Sequence, residues 1–82
     1  MRDGTVYIID DDPGLNASLA ALFRSVGLHA ELFQHPEPFL GLSKIARPAC
    51  VILDVRLPGI NGLDVLDQIR QRGCSVPVVM TC

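Results

Sequence analysis

Acidic residues at two places in the sequence could bind a metal ion. Asp10, Asp11 and Asp12 follow the apolar run TVYII, and Asp54 follows the apolar run CVIL. Runs of this kind are typical of strands that are buried on both faces of a parallel sheet. Open α/β folds place their chemistry at the carboxyl ends of such strands. Two neighbouring parallel strands would therefore bring Asp54 beside the first acidic group.

The predicted cluster has the composition of a magnesium site. Three or four carboxylates that lie close together repel one another, and a divalent cation is the usual remedy. The cluster offers oxygen ligands alone, with no Cys or His nearby, which favours Mg²⁺ over softer metals. We therefore expect Asp10, Asp11 and Asp54 to bind Mg²⁺. Asp12 is better explained as the N-cap of the helix that follows.

Strand and helix patterns alternate along the whole chain. Strands are predicted at Thr5 to Asp10, His29 to Phe33, the run that ends at Asp54, and Val76 to Thr81. Helices are predicted from Asp12-Pro13 to about residue 26, from Pro36 to Ile45, and from Gly62 to Arg72. This alternation implies a parallel sheet with right-handed crossovers. Residues 1–82 suffice for a single domain with a modest core.

Local signals mark the ends of the helices. Asp12 and Pro13 are typical of an N-cap and of the first helical position, and Asn61 is expected to cap the third helix. Gly41 weakens the second helix, which we expect to be the least stable of the three. Apolar residues recur at helical spacing through the first helix and predict one apolar stripe: Leu15, Leu19, Leu22, Phe23 and Val26.

Three pieces of the chain carry a specific resemblance: VYIIDDDPGL, VILDVRLPGINGLDVLDQIR and VPVVMT, in that order. Together they resemble the receiver domain of two-component response regulators, particularly the class with a C-terminal LuxR/FixJ-type helix-turn-helix output domain. The resemblance covers essentially all 82 residues. It implies a flavodoxin-like (CheY-like) doubly wound parallel sheet with strand order 2-1-3-4. It also implies a domain truncated after the fourth strand, without the family's last helix, strand and helix and without the output domain.

The resemblance implies a role for each candidate site residue. Asp54 would be the phosphoacceptor and would form an aspartyl phosphate. Asp10 and Asp11 would hold Mg²⁺ together with Asp54 and the backbone carbonyl of Arg56. The Thr81 hydroxyl would donate a hydrogen bond to a phosphoryl oxygen. A sensor histidine kinase would be the phosphoryl donor, so the chain would be a cytoplasmic regulatory domain and not an enzyme, with any phosphotransfer directed at itself.

The sequence admits two other functions. The first is a self-associating fragment with impaired phosphotransfer, swapped or paired through the edge of the fourth strand: Val76, Val78, Val79 and Met80. Apolar surface left uncovered on the first helix would favour the same homodimer. The second is a phosphatase of the haloacid dehalogenase type, which needs an acid two residues after the nucleophile. Arg56 stands at that place and argues against it.

Composition and charge exclude several other classes. With 49% hydrophobic and 20% charged residues, the chain is globular and not disordered. No basic run supports binding of nucleic acid by this segment, and four of the nine acids lie at the proposed site. No stretch is long and apolar enough to span a membrane. The three cysteines fit no zinc spacing and indicate reduced thiols in a cytoplasmic protein.

Overall fold

A four-stranded parallel sheet organises the protein in this computed structural model, which describes residues 4–45 and 48–81. Its strands are β1 (Thr5–Ile9), β2 (His29–Phe33), β3 (Ala49–Asp54) and β6 (Val78–Thr81). Two further strands, β4 (Arg56–Leu57) and β5 (Ile60–Asn61), pair with each other as an antiparallel hairpin. The order in the main sheet is β2-β1-β3-β6, with every neighbouring pair parallel. The predicted α/β fold and strand order are therefore confirmed.

Three helices connect the strands of the sheet: α1 (Pro13–Ser25), α2 (Pro36–Leu40) and α3 (Gly62–Gln71). The chain steps one way across the sheet from β1 to β2 and the other way from β2 to β3 and on to β6. With right-handed crossovers, this reversal places α1 on one face of the sheet and both α2 and α3 on the other. No helix within the described ranges has the length and apolar character needed to cross a bilayer.

The α2/α3 face of the sheet holds the main hydrophobic core. Tyr7 and Ile9 of β1 pack there with Val65 and Ile69 of α3, and all four side chains are buried. Phe39 of α2 stands edge-on to the Tyr7 ring, with 5.3 Å between the ring centroids. Aromatic pairs prefer this geometry because ring edges and faces carry opposite partial charges. The ring contact attaches a helix of five residues to the sheet.

The α1 face of the sheet is covered by short side chains of the helix. The side chains that α1 buries are Asn16 and Ala20, whereas Leu15, Leu22 and Val26 of the predicted stripe are 43%, 59% and 61% exposed. The apolar stripe therefore faces away from the sheet for most of its length. The physical reason is that short side chains allow a helix axis to lie close to a sheet. The exposed side chains fit the expected uncovered apolar surface on α1.

The ends of the helices can be compared with those predicted from the sequence. The Asp12 and Asn61 side chains both accept hydrogen bonds from backbone N–H groups in the first turns of α1 and α3, so both predicted caps are confirmed. The prediction that α2 extends to Ile45 is wrong, because the helix ends at Leu40 with Gly41 as its C-cap. Glycine is a poor helix former, and few local interactions oppose its effect in so short a helix.

Strand β6 begins two residues later than predicted. Val76 is buried but lies before the strand, which starts at Val78. Pro77 lies between them and has no N–H group with which to donate to a neighbouring strand. Its carbonyl oxygen does accept the N–H of Val51 at 2.9 Å. The ladder is therefore joined at Pro77 through the carbonyl alone, and regular pairing starts after it.

Candidate metal site at the carboxyl edge of the sheet

Strand register brings the two acidic regions together. Ile9 of β1 pairs with Leu53 of β3, so Asp10 and Asp54 follow directly at the carboxyl ends of neighbouring strands. Asp10, Asp11 and Asp54 each offer a carboxylate oxygen, and these oxygens all lie within 4.8 Å of one another. The convergence predicted from the sequence is present in the fold. Three carboxylate donors without His or Cys fit a hard divalent cation such as Mg²⁺.

The three carboxylates have different environments. Asp10 is 6% exposed, Asp54 is half-buried and Asp11 is exposed. Burial raises the pKa of Asp10 above its ordinary value, and the negative charges of Asp54 and Asp11 raise it further. A hydrogen bond at 2.9 Å from the Asp12 N–H to the Asp10 carboxylate acts in the opposite direction. The site therefore concentrates negative charge that a bound cation would relieve.

Asp12 serves the helix and not the acidic cluster. Its carboxylate oxygen Oδ1 accepts the N–H of Gly14 at 2.9 Å and the N–H of Leu15 at 3.2 Å. These are N–H groups at the start of α1 that no carbonyl within the helix can satisfy. Asp12 does not belong to the group of carboxylates that converge at the site. Its predicted role as an N-cap accounts for it.

The hairpin formed by β4 and β5 supports Asp54 and was not predicted. The Arg56 N–H donates to Oδ1 of Asp54 at 2.9 Å, at the start of the hairpin. Pro58 and Gly59 make the turn between the two short strands, and Gly59 has a φ of +76°. Proline followed by glycine in the left-handed region is typical of a type II turn.

Gly62 holds the start of α3 against the backbone of Asp54. Its N–H donates to the carbonyl of Val55 at 2.9 Å. A Cβ atom at this position would lie 2.5 Å from the Asp54 carbonyl oxygen and 2.7 Å from Cα of Val55. No side chain fits at that distance, so the close approach requires glycine. The sequence signal was a glycine directly after the cap residue Asn61, and it was used only as the predicted start of the third helix.

Thr81 stands beside Asp54 on the neighbouring strand. The two residues are register partners in the parallel pair of β3 and β6. The Val55 N–H donates to the Thr81 carbonyl at 2.8 Å, which ties the ends of the two strands together. Register partners in a sheet project their side chains to the same face. Thr81 is half-buried, and its place agrees with the sequence prediction.

Asn16 is a residue at the site that sequence reasoning missed. It lies on the buried side of α1, and its Nδ2 donates to the backbone carbonyl of Asp10 at 2.8 Å. A polar residue in an amphipathic helix is expected on the solvent side, so its type gave no signal. Its spacing did offer one, because Asn16, Ala20 and Phe23 recur at helical intervals.

The remaining candidate ligands stay outside the cluster. Cys50 and Cys74 are free thiols and half-buried, and Cys82 lies outside the described residues. His29 and His35 are exposed. Within residues 4–45 and 48–81, the metal-ligating side chains that come together as a group of three are those of Asp10, Asp11 and Asp54.

Comparison with known proteins identifies the family. Residues 6–82 match the profile of the response regulator receiver domain. The response regulator protein TodT of Pseudomonas putida is 38% identical over 78 residues, which are 95% of this chain and 34% of TodT. The transcriptional regulatory protein FixJ of Azorhizobium caulinodans is 36% identical over 75 residues, which are 92% of this chain and 36% of FixJ. The chain spans about a third of the length of these relatives.

A solved structure agrees with the sequence relatives. The beryllofluoride-activated NtrC receiver domain superposes with a TM-score of 0.82 at 31% identity, covering 99% of this chain and 65% of that one. Receiver domains of response regulators are regulatory and are not enzymes of the ordinary kind. The family match over residues 6–82, the relatives and the sheet order agree with one another. The chain belongs to the response regulator receiver domain family of two-component systems.

Proposed function

We propose that this receiver domain accepts a phosphoryl group on Asp54 from a sensor histidine kinase, in the cytoplasm, as the input step of transcriptional regulation. The observation that carries the proposal is the meeting of Asp10, Asp11 and Asp54, whose carboxylate oxygens lie within 4.8 Å of one another. The relatives TodT and FixJ are a response regulator and a transcriptional regulator, which supports the signalling role. Because the chain spans about a third of each, the kinase and the transcriptional output are both inferred.

Asp54 is the nucleophile in this proposal. Its Oδ1 accepts the Arg56 N–H at 2.9 Å, which fixes the carboxylate and leaves the other oxygen for attack. An O–P bond forms at Asp54 while the N–P bond of a phosphohistidine breaks. The imidazole leaves with the electron pair of that bond and takes up a proton from solvent. The half-buried position of Asp54 leaves it accessible to a phosphorylated side chain of a partner.

Mg²⁺ is the cofactor in this proposal, and its ligands are Asp10, Asp11, Asp54 and the backbone carbonyl of Arg56. When bound, the ion would neutralise charge on the phosphoryl oxygens during transfer. Asp11 is exposed and would be the main carboxylate ligand, whereas the buried Asp10 would act through a metal-bound water or by its charge. The raised pKa of Asp10, which follows from burial and the neighbouring acids, supports a site that gains from a cation.

Thr81 completes the proposed phosphoryl site. It is the register partner of Asp54, so its hydroxyl lies on the same face of the sheet at the same level of the strands. We infer that this hydroxyl donates a hydrogen bond to a phosphoryl oxygen on Asp54. The β-branched side chain would equally suit a strand position without any such role. The chemical shift of Thr81 in the presence of beryllofluoride distinguishes these two explanations.

We also propose that two copies of this chain associate through β6. In the described residues, β6 stands at one edge of the sheet, and Val79 on it is 52% exposed. An edge strand with unpaired backbone groups and exposed apolar side chains is a template for pairing with another strand. Sedimentation of the chain at micromolar concentration should reveal a dimer. A monomer at all concentrations tested would contradict the proposal.

The test of phosphoacceptor function is NMR chemical shift mapping with Mg²⁺, followed by beryllofluoride as a mimic of the aspartyl phosphate. We expect Asp11 and Asp54 to shift with Mg²⁺, and Asp54 and Thr81 to shift further with beryllofluoride. Asp54→Asn should abolish the beryllofluoride response, because the substitution removes the attacking oxygen. Asp67→Asn is the matched control, since it neutralises an exposed acid on α3 outside the cluster.

The possible NMR results test the metal site, the phosphoacceptor role of Asp54 and the role of Thr81 separately. A response to Mg²⁺ without a response to beryllofluoride would retain the metal site and contradict phosphoacceptor function for this chain. A beryllofluoride response that leaves Thr81 unmoved would assign Thr81 to the strand alone. A folded chain that responds to neither reagent would contradict the whole proposal.

A further inference from the structure

Asn16 occupies a buried position on α1 at which an apolar side chain would cost less free energy of folding. It is 2% exposed on α1, and its Oδ1 has no hydrogen-bond partner within the part of the chain that the structure describes. A buried acceptor without a partner costs about 1–3 kcal/mol. The same helix exposes Leu15 and Leu22, either of which would fill a buried position more favourably. The helix therefore breaks the usual pattern at one residue, and this residue contacts the site.

The contact of Asn16 is with the backbone of a proposed metal ligand. Its Nδ2 donates to the Asp10 carbonyl oxygen at 2.8 Å. This carbonyl belongs to the peptide unit that links Asp10 to Asp11. Because a peptide unit is planar, the direction of its carbonyl determines how the backbone turns between the two residues. The hydrogen bond therefore acts on both acids at once.

Asp10 is held at each of its polar groups. Its N–H donates to the carbonyl of Phe33 at 3.0 Å, which continues the pairing of β1 with β2. Its carboxylate accepts the Asp12 N–H at 2.9 Å. Asn16 provides the third tie, to the carbonyl, and comes from a different element of structure. Without it, nothing in the described residues holds the Asp10 carbonyl.

We propose that Asn16 is a positioning residue for the acidic site, whose buried amide sets the peptide between Asp10 and Asp11 so that both carboxylates face Asp54. The proposal rests on the proposed Mg²⁺ site. Partners that orient the ligands of a metal typically contribute 10-fold to 100-fold to its affinity. The unpaired Oδ1 of Asn16 is then tolerated because the same side chain donates a hydrogen bond to the Asp10 carbonyl. Asn16 itself touches no metal and is not a catalytic residue.

The test compares two substitutions on the buried side of α1, measured in the whole chain. Asn16→Leu keeps the branched outline of the side chain and removes the donor, and Ala20→Gly disturbs the helix away from Asp10. The readouts are the dissociation constant for Mg²⁺ and the free energy of unfolding in urea with chelator present. We expect Asn16→Leu to weaken Mg²⁺ binding about 10-fold while the metal-free stability changes little, because an unpaired Asp10 carbonyl then replaces the unpaired Asn16 Oδ1. Ala20→Gly should lower stability by about 1 kcal/mol and leave Mg²⁺ affinity unchanged.

Two results would overturn the proposal. The first is Mg²⁺ affinity in Asn16→Leu equal to that of the unchanged chain. The second is a loss of affinity in both variants that follows their loss of stability, which would assign Asn16 to packing alone.

Failure of the proposed metal site would be seen separately, as absence of Mg²⁺ binding by the unchanged chain. In that case the amide chemical shifts of Asp11 and Asp12 decide the backbone role. Shifts in Asn16→Leu clearly larger than in Ala20→Gly would retain it, and equal shifts would refute it.

Discussion

The two faces of the sheet are covered in different ways. On the α2/α3 face, large apolar side chains fill the space between sheet and helices, and Ile69 is almost fully buried. On the α1 face, the helix buries Asn16 and Ala20 and leaves Leu22 largely exposed. The sheet itself does not cause the difference, because the middle of β1 is buried on both faces. The difference lies in the helices.

This contrast suggests that fold stability and site geometry depend on different faces. The α2/α3 face contributes apolar burial, which scales with the area removed from water. The α1 face contributes directed hydrogen bonds near the site, from the cap Asp12 and from the amide of Asn16. Hydrogen bonds add modest net stability but fix direction.

The largest effect is expected from truncating Ile69 on the α2/α3 face. Ile69→Ala should lower the free energy of unfolding by about 2–5 kcal/mol, because it removes buried methyl and methylene groups and leaves a cavity. Leu22→Ala on α1 is the matched truncation of an exposed side chain and should change stability by about 0.5 kcal/mol or less. Urea unfolding of both variants measures the contrast. Equal losses would contradict a difference between the faces.

Gly62→Ala should have the next largest effect. The added Cβ would lie 2.5 Å from the Asp54 carbonyl oxygen and 2.7 Å from Cα of Val55, which are backbone atoms. Relief requires a shift of β3 or of the start of α3, at a cost of about 1–3 kcal/mol. Because Asp54 moves with its backbone, Mg²⁺ affinity should fall as well. A variant that binds Mg²⁺ normally and unfolds normally would refute the close approach.

Asp10→Asn should stabilise the metal-free chain at neutral pH. Burial raises the pKa of Asp10 in the folded state. The contribution of the Asp10 side chain to the free energy of unfolding is therefore fully present at pH values below the ordinary pKa of about 4. This contribution is lost as the pH rises through the folded-state pKa. The substitution removes that loss and can retain the hydrogen bond from Asp12. The stability advantage of the variant should therefore grow with rising pH above about 4 and then level off.

Urea unfolding at several pH values with chelator present measures this advantage. Asp67→Asn, which changes an exposed acid, should show no comparable growth. With saturating Mg²⁺ the order should reverse, because the cation stabilises a folded state that retains the Asp10 charge. An advantage that shrinks as pH rises would contradict the cause assigned to the raised pKa.

The smallest effect is expected at the end of α2. Gly41 has φ −80° and ψ −6°, which alanine adopts without strain. Gly41→Ala should add about 0.5–1 kcal/mol by reducing the entropy of the unfolded chain. Gly59→Ala is the control, because φ of +76° disfavours any residue with a Cβ, and it should lose about 1 kcal/mol. Thermal unfolding distinguishes a gain from a loss.

Much of the candidate site could be predicted because it depends on local pattern. Apolar runs locate the strands, and the acids that follow them must meet where parallel strands end together. Asp12 and Asn61 were recognised as caps because capping is chemistry between residues two or three apart. The end of α2 and the hairpin after Asp54 were missed, because helix signals and turn-forming residues lie within a few residues of one another at both places.

Sequence pattern was enough to predict the order of strands and helices, the caps of α1 and α3, and the edge of the sheet at which the carboxylates lie. Packing between elements sets which side of α1 faces the sheet, how closely Gly62 approaches Asp54, and the hydrogen bond from Asn16 to the Asp10 carbonyl. The physical reason is the distance along the chain over which each kind of interaction acts. Periodicity and capping act within a few residues, whereas these contacts depend on how closely whole elements pack.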